Sequence, residues 1–407
     1  MSMQKKRPGL SLAKTILIVV AVMAGTTLAV LAYRLHDGRF SMGASRETAL
    51  QTLEAARKLI DEGRWEDAHR LIDPLSERLR DNPLNQQALL LLARVEKEMR
   101  HSDKALAHLK RAATEFLGAP GTIEAKLAYA RLLEECGQKD DALRAYGEIR
   151  DSAPPEVRAP ATTALGREAE SQKDLLKARD WYAQAVREAQ WDSEAWQEAS
   201  AALGRVNVAL IFSPMETPES RKYAVQPKDN LLDIGIKLNT TQGLLMRANG
   251  LSEATVLSVG QQLKHTPKDF RIVIDRSKCR LYLLDKDGVF KWYRTGLGMP
   301  GHETTLGAYK IGNKQKDPIW HKPGAGPIPA GDPANELGTR WMPLLPQLEG
   351  LPTDLGIHGT IKPETVGTFA SHGCARLLNE EVEELYDLVV RSTPVDIVEI
   401  FSPSAGG

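Results

Sequence analysis

The stretch from Ile357 to Leu377, IHGTIKPETVGTFASHGCARL, holds two histidines, a cysteine and a glycine beside it, which is where covalent chemistry is most readily placed. Acyl transfer through a side chain needs a nucleophile, a base to take its proton, and backbone N–H groups free to face a developing negative charge. Cys374, His358 or His372, and the backbone at Gly373 could supply all three. A free thiol of pKa about 8.5 is only a few per cent thiolate at neutral pH, so an imidazole that accepts its proton raises its reactivity. With Ser371 to Cys374 extended, His372 and Cys374 fall on one face, because side chains alternate along a strand. His358, 16 positions upstream of the cysteine, must arrive on another segment. Spacing alone leaves the choice of base open. Blander readings stand beside this one: a lone cysteine is usually a small buried hydrophobe. A zinc site would want C-x-x-C or H-E-x-x-H spacing, and neither occurs. Arg376 could close a structural ion pair or grip a substrate carboxylate, for which the guanidinium fork is suited.

An upstream H-G-T, then S-H-G-C with an arginine two places on, resembles the signature of the L,D-transpeptidase (YkuD) catalytic domains. The resemblance implies that Cys374 is the acylated nucleophile, His358 its base, and the Gly359 carbonyl the group that holds the ring. It further implies that His372 frames the cleft and that backbone N–H groups around Gly373 and Cys374 receive the oxyanion; Arg376 and Ser371, beside the thiol, are the candidates for binding substrate. Ala375 stands where the family usually has Ile or Val, and Leu377 where it often has Met; neither change removes a reacting group. The implied reaction is acyl transfer on peptidoglycan. The cysteine attacks the carbonyl of the third residue of a tetrapeptide stem, D-Ala leaves, and the side-chain amine of a second stem takes the acyl group, with no metal or organic cofactor. The alternatives are an L,D-carboxypeptidase or amidase, in which water resolves the thioester, and a non-catalytic peptidoglycan-binding scaffold.

The elements that must position these groups occupy residues 269–402. RIVIDRSKCRLYLLD alternates with β-branched and aromatic residues, DKDG makes a hairpin turn, and VFKWYRTGLG returns. Cys279, in this first hairpin, is expected as an ordinary strand residue. GHETTLGAYKI resembles a second conserved stretch of the family, with Leu306 where proline is usual. PIWHKPG and PIPAGDPANELGTRWMPL resemble the segment before the catalytic loop, in which His321 and Trp341 are candidates to line the site without an assigned role. The helix NEEVEELYDLVVR follows, its acidic first turn suiting the helix dipole, and VDIVEIF closes the domain as a strand.

Residues 223–265 read strand, helix, helix, strand (YAVQP, DNLLDIGIKLN, TQGLLMRANG, VLSVGQQLK), with Asp229 placed to cap the first helix, Thr240 or Thr241 the second, and Gly250 to end it. The pattern resembles a LysM domain. That family binds N-acetylglucosamine-containing glycans such as peptidoglycan through the loop after the first strand and the loop before the second. The matching positions are Asp229, Asn230 and Leu231, then Asn249, Gly250 and Leu251; Lys228 occupies a place often held by glycine. Residues 46–204 are helical in pattern. Ala68, Ala105, Ala142 and Ala178 recur at steps of 37, 37 and 36, each where two helices need a small residue to approach. This resembles tetratricopeptide repeats and implies either a docking surface for a partner protein or a spacer from the membrane. His69, His101, His108, Trp65, Tyr146, Trp181 and Tyr182 read as packing or surface residues. A linker at 205–222, with Pro214 and Pro218, separates the repeats from the LysM-like segment.

A chain of 407 residues fits two or three domains, each able to bury a core. Lys+Arg and Asp+Glu both number 53, so no basic field argues for nucleic acid. The three cysteines are too few and too scattered for a disulfide framework. A basic segment, 1–14, precedes an uncharged, mostly apolar run at 15–33, close to the roughly 20 residues that cross a bilayer. It reads as a retained single-pass anchor rather than a cleaved signal, although Val30-Leu31-Ala32 is a weak cleavage candidate. The basic flank places the N-terminus in the cytoplasm and everything after Arg34 outside it, so the catalytic domain is expected to be periplasmic or otherwise extracytoplasmic. The expected fold is therefore multidomain: an N-terminal transmembrane helix, all-α helical repeats, a small βααβ LysM-like domain, and a mostly-β L,D-transpeptidase catalytic domain.

Overall fold

The computed structural model describes residues 46–78, 83–116, 118–321, 324 and 326–403. The apolar run at 15–33 lies outside them; among the described residues no helix is long and apolar enough to cross a membrane. The chain forms two compact units, Met1–Ala153 and Pro154–Gly407.

The first unit is built of α1 (Arg46–Asp61), α2 (Trp65–Arg78), α3 (Pro83–Glu98), α4 (Ser102–Thr114), α5 (Thr122–Glu135) and α6 (Lys139–Ser152). Each helix buries one stripe; for α1 to α3 the stripe includes Leu53, Ile60, Ile72 and Leu92, each such side chain contributing about 1.5–3 kcal/mol when fully buried. Ala68, Ala105 and Ala142 each hold the fourth position of their helix and are essentially inaccessible, as a small residue packed between helices should be. The second unit begins with α7 (Pro155–Ser171), α8 (Leu175–Glu188) and α9 (Glu194–Ile211), and Ala178 holds the same place in α8. The periodicity extends to a polar pair: Tyr146 donates to Glu134 at 2.9 Å, and Tyr182, 36 residues on, donates to Glu170 at 2.8 Å. The helix α9 runs seven residues past Gly204, where the sequence pattern ends the helical region. That glycine is a packing residue, since a Cβ there would approach Lys291 Cα to 3.1 Å, and Val208 and Ile211 beyond it enter the core of the C-terminal sheet.

The βααβ segment consists of β1 (Arg221–Ala224), α10 (Leu231–Lys237), α11 (Gln242–Asn249) and β2 (Gln262–His265), the strands pairing antiparallel. Asn230, not Asp229, caps α10, its Oδ1 accepting from the Asp233 N–H at 2.9 Å. Thr241 caps α11, and Gly250 ends it at φ +62°. Lys228 adopts φ +71°, so it takes the left-handed conformation that glycine would take more easily. The second strand starts at Gln262 rather than at Val256, and Val256 and Val259 are exposed in the loop before it.

The C-terminal region contains β3 (Arg271–Asp275), β4 (Arg280–Asp285), β5 (Gly288–Arg294), β6 (Leu297–Gly298), β7 (Gly307–Ile311), β8 (Gln315–Lys316), β9 (Trp320–His321), β10 (Pro327–Ile328), β11 (Arg340–Pro346), β12 (Gly356–His358), β13 (Phe369–Ser371), β14 (Ala375–Arg376), α12 (Asn379–Leu388) and β15 (Pro394–Val398). The main sheet runs β14-β12-β11-β7-β15-β3-β4-β5, with β8 also on β11. Most pairs are antiparallel; β12 with β14 and β15 with β3 are parallel. The helix α12 packs on β11 and β12, placing Val382 and Leu385 in a core with Ile272, Tyr309, Met342 and Ile357. Cys279 is not a strand residue. It is buried in the turn between β3 and β4 at φ +49°, because the last residue of that turn must go left-handed to bring β4 back onto β3.

Candidate active site

The three residues of β12 carry the site. Its centre, Ile357, faces the core, which turns Gly356 and His358 to the opposite face, since side chains alternate. The parallel neighbour β14 sets Ala375 against Ile357 and Arg376 against His358. One residue before β14, Cys374 falls beside Gly356, on the same face as His358 and one step along it. The sheet thus unites a cysteine and a histidine that the linear spacing separates.

His358 is buried, and its Nδ1 lies 2.6 Å from the Gly359 carbonyl. A carbonyl only accepts, so Nδ1 carries the hydrogen and Nε2 the lone pair. Burial, reinforced by the Arg376 guanidinium, pushes the ring down to about 4, against the opposing pull of the Gly359 and Leu337 carbonyls and the Glu336 carboxylate. The half-buried Cys374 thiol points to the Asp354 carbonyl at 3.7 Å. Burial pushes it up to about 11; the Asp354 carboxylate adds to this, while the Gly356 N–H and Arg376 act the other way. At neutral pH the resting pair is therefore a thiol and a neutral imidazole.

The loop around the sulfur is held from within. Gly373 adopts φ +118°, which favours glycine. Its N–H donates to Ser371 Oγ at 3.1 Å, and that hydroxyl donates to the Cys374 carbonyl at 2.7 Å. Gly373 is thus not a free oxyanion donor, and Ser371, almost fully buried, braces the loop instead of meeting substrate. The Cys374 N–H has no acceptor among the described residues. Arg376, also buried, pairs with Glu336 at 3.2 Å, and Glu336 pairs with Lys362 at 2.9 Å, so its side chain is engaged by protein. His372 is exposed at the rim, its ring centroid 5.0 Å from that of His302.

Three positioning residues were not assigned roles from sequence. Asn379 Oδ1 accepts from the Thr339 and Thr360 N–H groups at 3.3 and 3.2 Å, clipping together the two segments whose carbonyls face the His358 ring. Its place at the start of a helix made it look like an ordinary terminal residue. Trp341 lies opposite His358 in the ladder, with ring centroids 5.7 Å apart. Gly356 must be glycine because a Cβ there would stand 2.3 Å from the indole. His321, the other aromatic named from sequence, is exposed on the separate β9–β10 ribbon.

Comparison with known proteins identifies the two C-terminal domains. The family model for the L,D-transpeptidase catalytic domain (YkuD) matches residues 269–397, and that for the LysM domain matches residues 223–265. YqjB of Bacillus subtilis, an L,D-transpeptidase by name, is 30% identical over 136 residues, which cover 33% of this chain and 73% of that protein. The chain belongs to the L,D-transpeptidase family. YkuD of Bacillus licheniformis, of the same name, is 29% identical over 181 residues, 43% of this L,D-transpeptidase and 97% of that protein. Among solved structures, a cysteine-to-serine mutant of the Enterococcus faecium L,D-transpeptidase aligns at 21% identity, over 35% of this chain and 55% of that one, with TM-score 0.27. An L,D-transpeptidase from Mycobacterium smegmatis aligns at 15% identity, over 35% of this chain and 64% of that one, with TM-score 0.26. The chain thus spans somewhat less than two thirds of those two structures.

In the LysM domain of this L,D-transpeptidase, the motif positions are largely consumed by the fold. Asp229 accepts from Tyr223 at 2.6 Å and from the Gln226 N–H at 2.8 Å. Leu231 is a core residue and Leu251 packs against that core. Asn249 bonds to Leu245 and to both the carbonyl and the N–H of Lys264. Asn230 is occupied by its cap, and Gly250 is exposed. At these positions mainly backbone groups stay uncommitted.

Proposed function

We propose that the protein is a peptidoglycan L,D-transpeptidase working through a Cys374 thioester. The observation that carries this is the pairing of β12 with β14, which puts Cys374 and His358 on one sheet face. As Cys374 Sγ attacks the carbonyl carbon of the third residue of a tetrapeptide stem, its proton passes to His358 Nε2. The Gly359 carbonyl favours the imidazolium that forms. The oxyanion takes the Cys374 N–H, the loop donor left free, and losing such a donor typically costs about 2.7–4 kcal/mol. Collapse breaks the amide bond to D-Ala, whose nitrogen leaves with the proton from His358. The side-chain amine of a second stem then attacks the thioester, gives its proton to the same ring, and releases the thiol.

In this reading the LysM domain holds the enzyme on glycan strands. The apolar run at 15–33 anchors the chain in the cell membrane by a single pass, with the catalytic domain outside the cytoplasm. The helical hairpins, of tetratricopeptide type, act as a spacer or as a docking surface for a protein partner.

The test is mass spectrometry of products after incubation with purified disaccharide-tetrapeptide. A cross-linked dimer and free D-Ala are expected, and both vanish in Cys374→Ala. Trimmed monomers alone would replace transfer by hydrolysis, and unchanged products from Cys374→Ala would end the thioester reading.

A further inference from the structure

A cleft of about 690 Å³ opens between the LysM helices and the catalytic region. Arg340 lines it, and its neighbour on β11, Trp341, covers His358; because adjacent strand residues point to opposite faces, the cleft lies on the side of β11 away from the catalytic face. Its floor is a tight seam. Thr241 Oγ1 donates to the Asp387 carbonyl at 2.5 Å, and Gly243 lets Asp387 approach so closely that a Cβ would meet its Oδ1 at 2.1 Å.

Five basic residues line the cleft, Arg247, Lys314, Lys316, Arg340 and Arg391, against two acidic ones, Glu253 and Asp387. Both acids are already engaged, Asp387 by Arg247 at 3.3 Å and Glu253 by Lys316 at 3.4 Å. Of the other three cations, Lys314 and Arg391 form no ion pair among the described residues, and Arg340 pairs with carboxylates outside the cleft lining. Among the described residues Lys314 Nζ donates to neutral carbonyls alone, those of Tyr386 at 2.5 Å and Val389 at 2.6 Å, and burial pushes its ammonium down to about 8. Arg340 is partly engaged: its Nη1 donates to the Thr339 carbonyl at 2.7 Å and pairs at longer range with Glu383 and Asp317, at 3.8 and 3.9 Å, while its buried Nε has no partner among the described residues. Arg391 is exposed and forms no ion pair among the described residues. Beside these charges stand Leu232 and Ile236, 58% and 73% exposed.

We propose that this cleft is a second binding site of the enzyme, taking a carboxylate-bearing peptide, the stem of a peptidoglycan strand. The inference rests on the peptidoglycan reading above. Guanidinium forks and an ammonium match the free carboxylates of such a stem, the apolar wall matches its methyl groups, and the volume lies in the range of ligand pockets, about 300–1,000 Å³. The site would hold a strand by its peptides while the catalytic face works on another.

The full chain bearing Cys374→Ala, titrated with disaccharide-tetrapeptide, tests this by hydrogen exchange. Protection is expected in segments 239–247 and 386–391. It should weaken about tenfold in apparent affinity in Arg391→Glu, and it should be absent with chitotetraose or with a stem whose carboxylates are amidated. Equal protection by the amidated stem, equal protection by inorganic phosphate, or an unchanged affinity in Arg391→Glu would overturn the proposal. If the unsubstituted enzyme cross-links the tetrapeptide but these segments stay unprotected, only the cleft assignment falls. If it neither cross-links the tetrapeptide nor shows protection, the peptidoglycan reading falls with it.

Discussion

At the catalytic loop Cys374 keeps a half-buried thiol and His358 keeps a ring nitrogen with its lone pair free, while Ser371, Gly373, Arg376 and Asn379 spend their polar groups bracing the backbone around them. In the LysM loops the balance is reversed. Asp229, Asn230 and Asn249 all spend their side chains on caps and turns, and Leu231 is in the core. A motif residue is available to a ligand only where its neighbours have satisfied the local backbone for it. The catalytic loop divides that labour between residues. The LysM loops assign it to the motif residues themselves, so at those positions mainly backbone groups stay uncommitted.

The contrast can be broken most sharply at His358. Replacing it by Gln should lower the acylation rate by about 10³-fold, within the range for loss of a positioned base, with acyl-enzyme formation followed by mass spectrometry; a loss under tenfold would make the ring another bracing group. The same variant should flatten the acid limb of stability. The unfolded ring binds a proton below about 6.5 and the folded one only below about 4, so stability falls as pH drops through that window in the parent and less so in His358→Gln.

The thiol offers the second handle. In a Cys136→Ser background, which removes the exposed thiol, alkylation of Cys374 by iodoacetamide should climb about tenfold per pH unit between pH 7 and 10. The reason is that burial raises the pKa to about 11, so thiolate accumulates only as pH rises towards that value. A rate already level below pH 8 would mean a preformed thiolate and imidazolium pair. A smaller change is expected from Asn379→Leu, about tenfold in kcat with little change in KM, because it loosens the carbonyls that orient the ring without touching substrate. A pure stability loss with kcat intact would assign Asn379 to folding alone. The smallest effect belongs to the LysM domain. Asn249→Ala should cost about 1–2 kcal/mol in thermal unfolding and leave kcat on soluble muropeptides unchanged. Weaker glycan binding at unaltered stability would place its side chain on the ligand and erase the contrast.

Much of the fold was legible locally. The β-branched and aromatic runs RIVID and RLYLLD mark strands, though both faces are buried rather than alternating, the 36- to 37-residue alanine spacing marks paired helices, and Gly250 and Thr241 mark ends of one helix, because each depends on contacts within a few residues or on a repeated local need. The boundaries that failed did so for tertiary reasons. Gly204 looked like a stop, yet the helix continues because Val208 and Ile211 have the catalytic sheet to bury against. The extended look of Val256 to Gly260 came from β-branched residues that remain exposed for want of a partner strand.

By itself the sequence determined which atoms could react: a thiol, an imidazole and a flexible glycine beside them, in a motif whose spacing is covalent information carried along the chain. Only the tertiary structure decided which histidine stands on the thiol's face, that Gly373 and Ser371 bond to each other instead of to a substrate, and that Trp341 and Asn379 belong to the site. Strand register and sheet order join residues far apart in sequence, and the free energy that selects them comes from burying Ile357, Met342 and their neighbours in one shared core. No pattern within the motif encodes that choice.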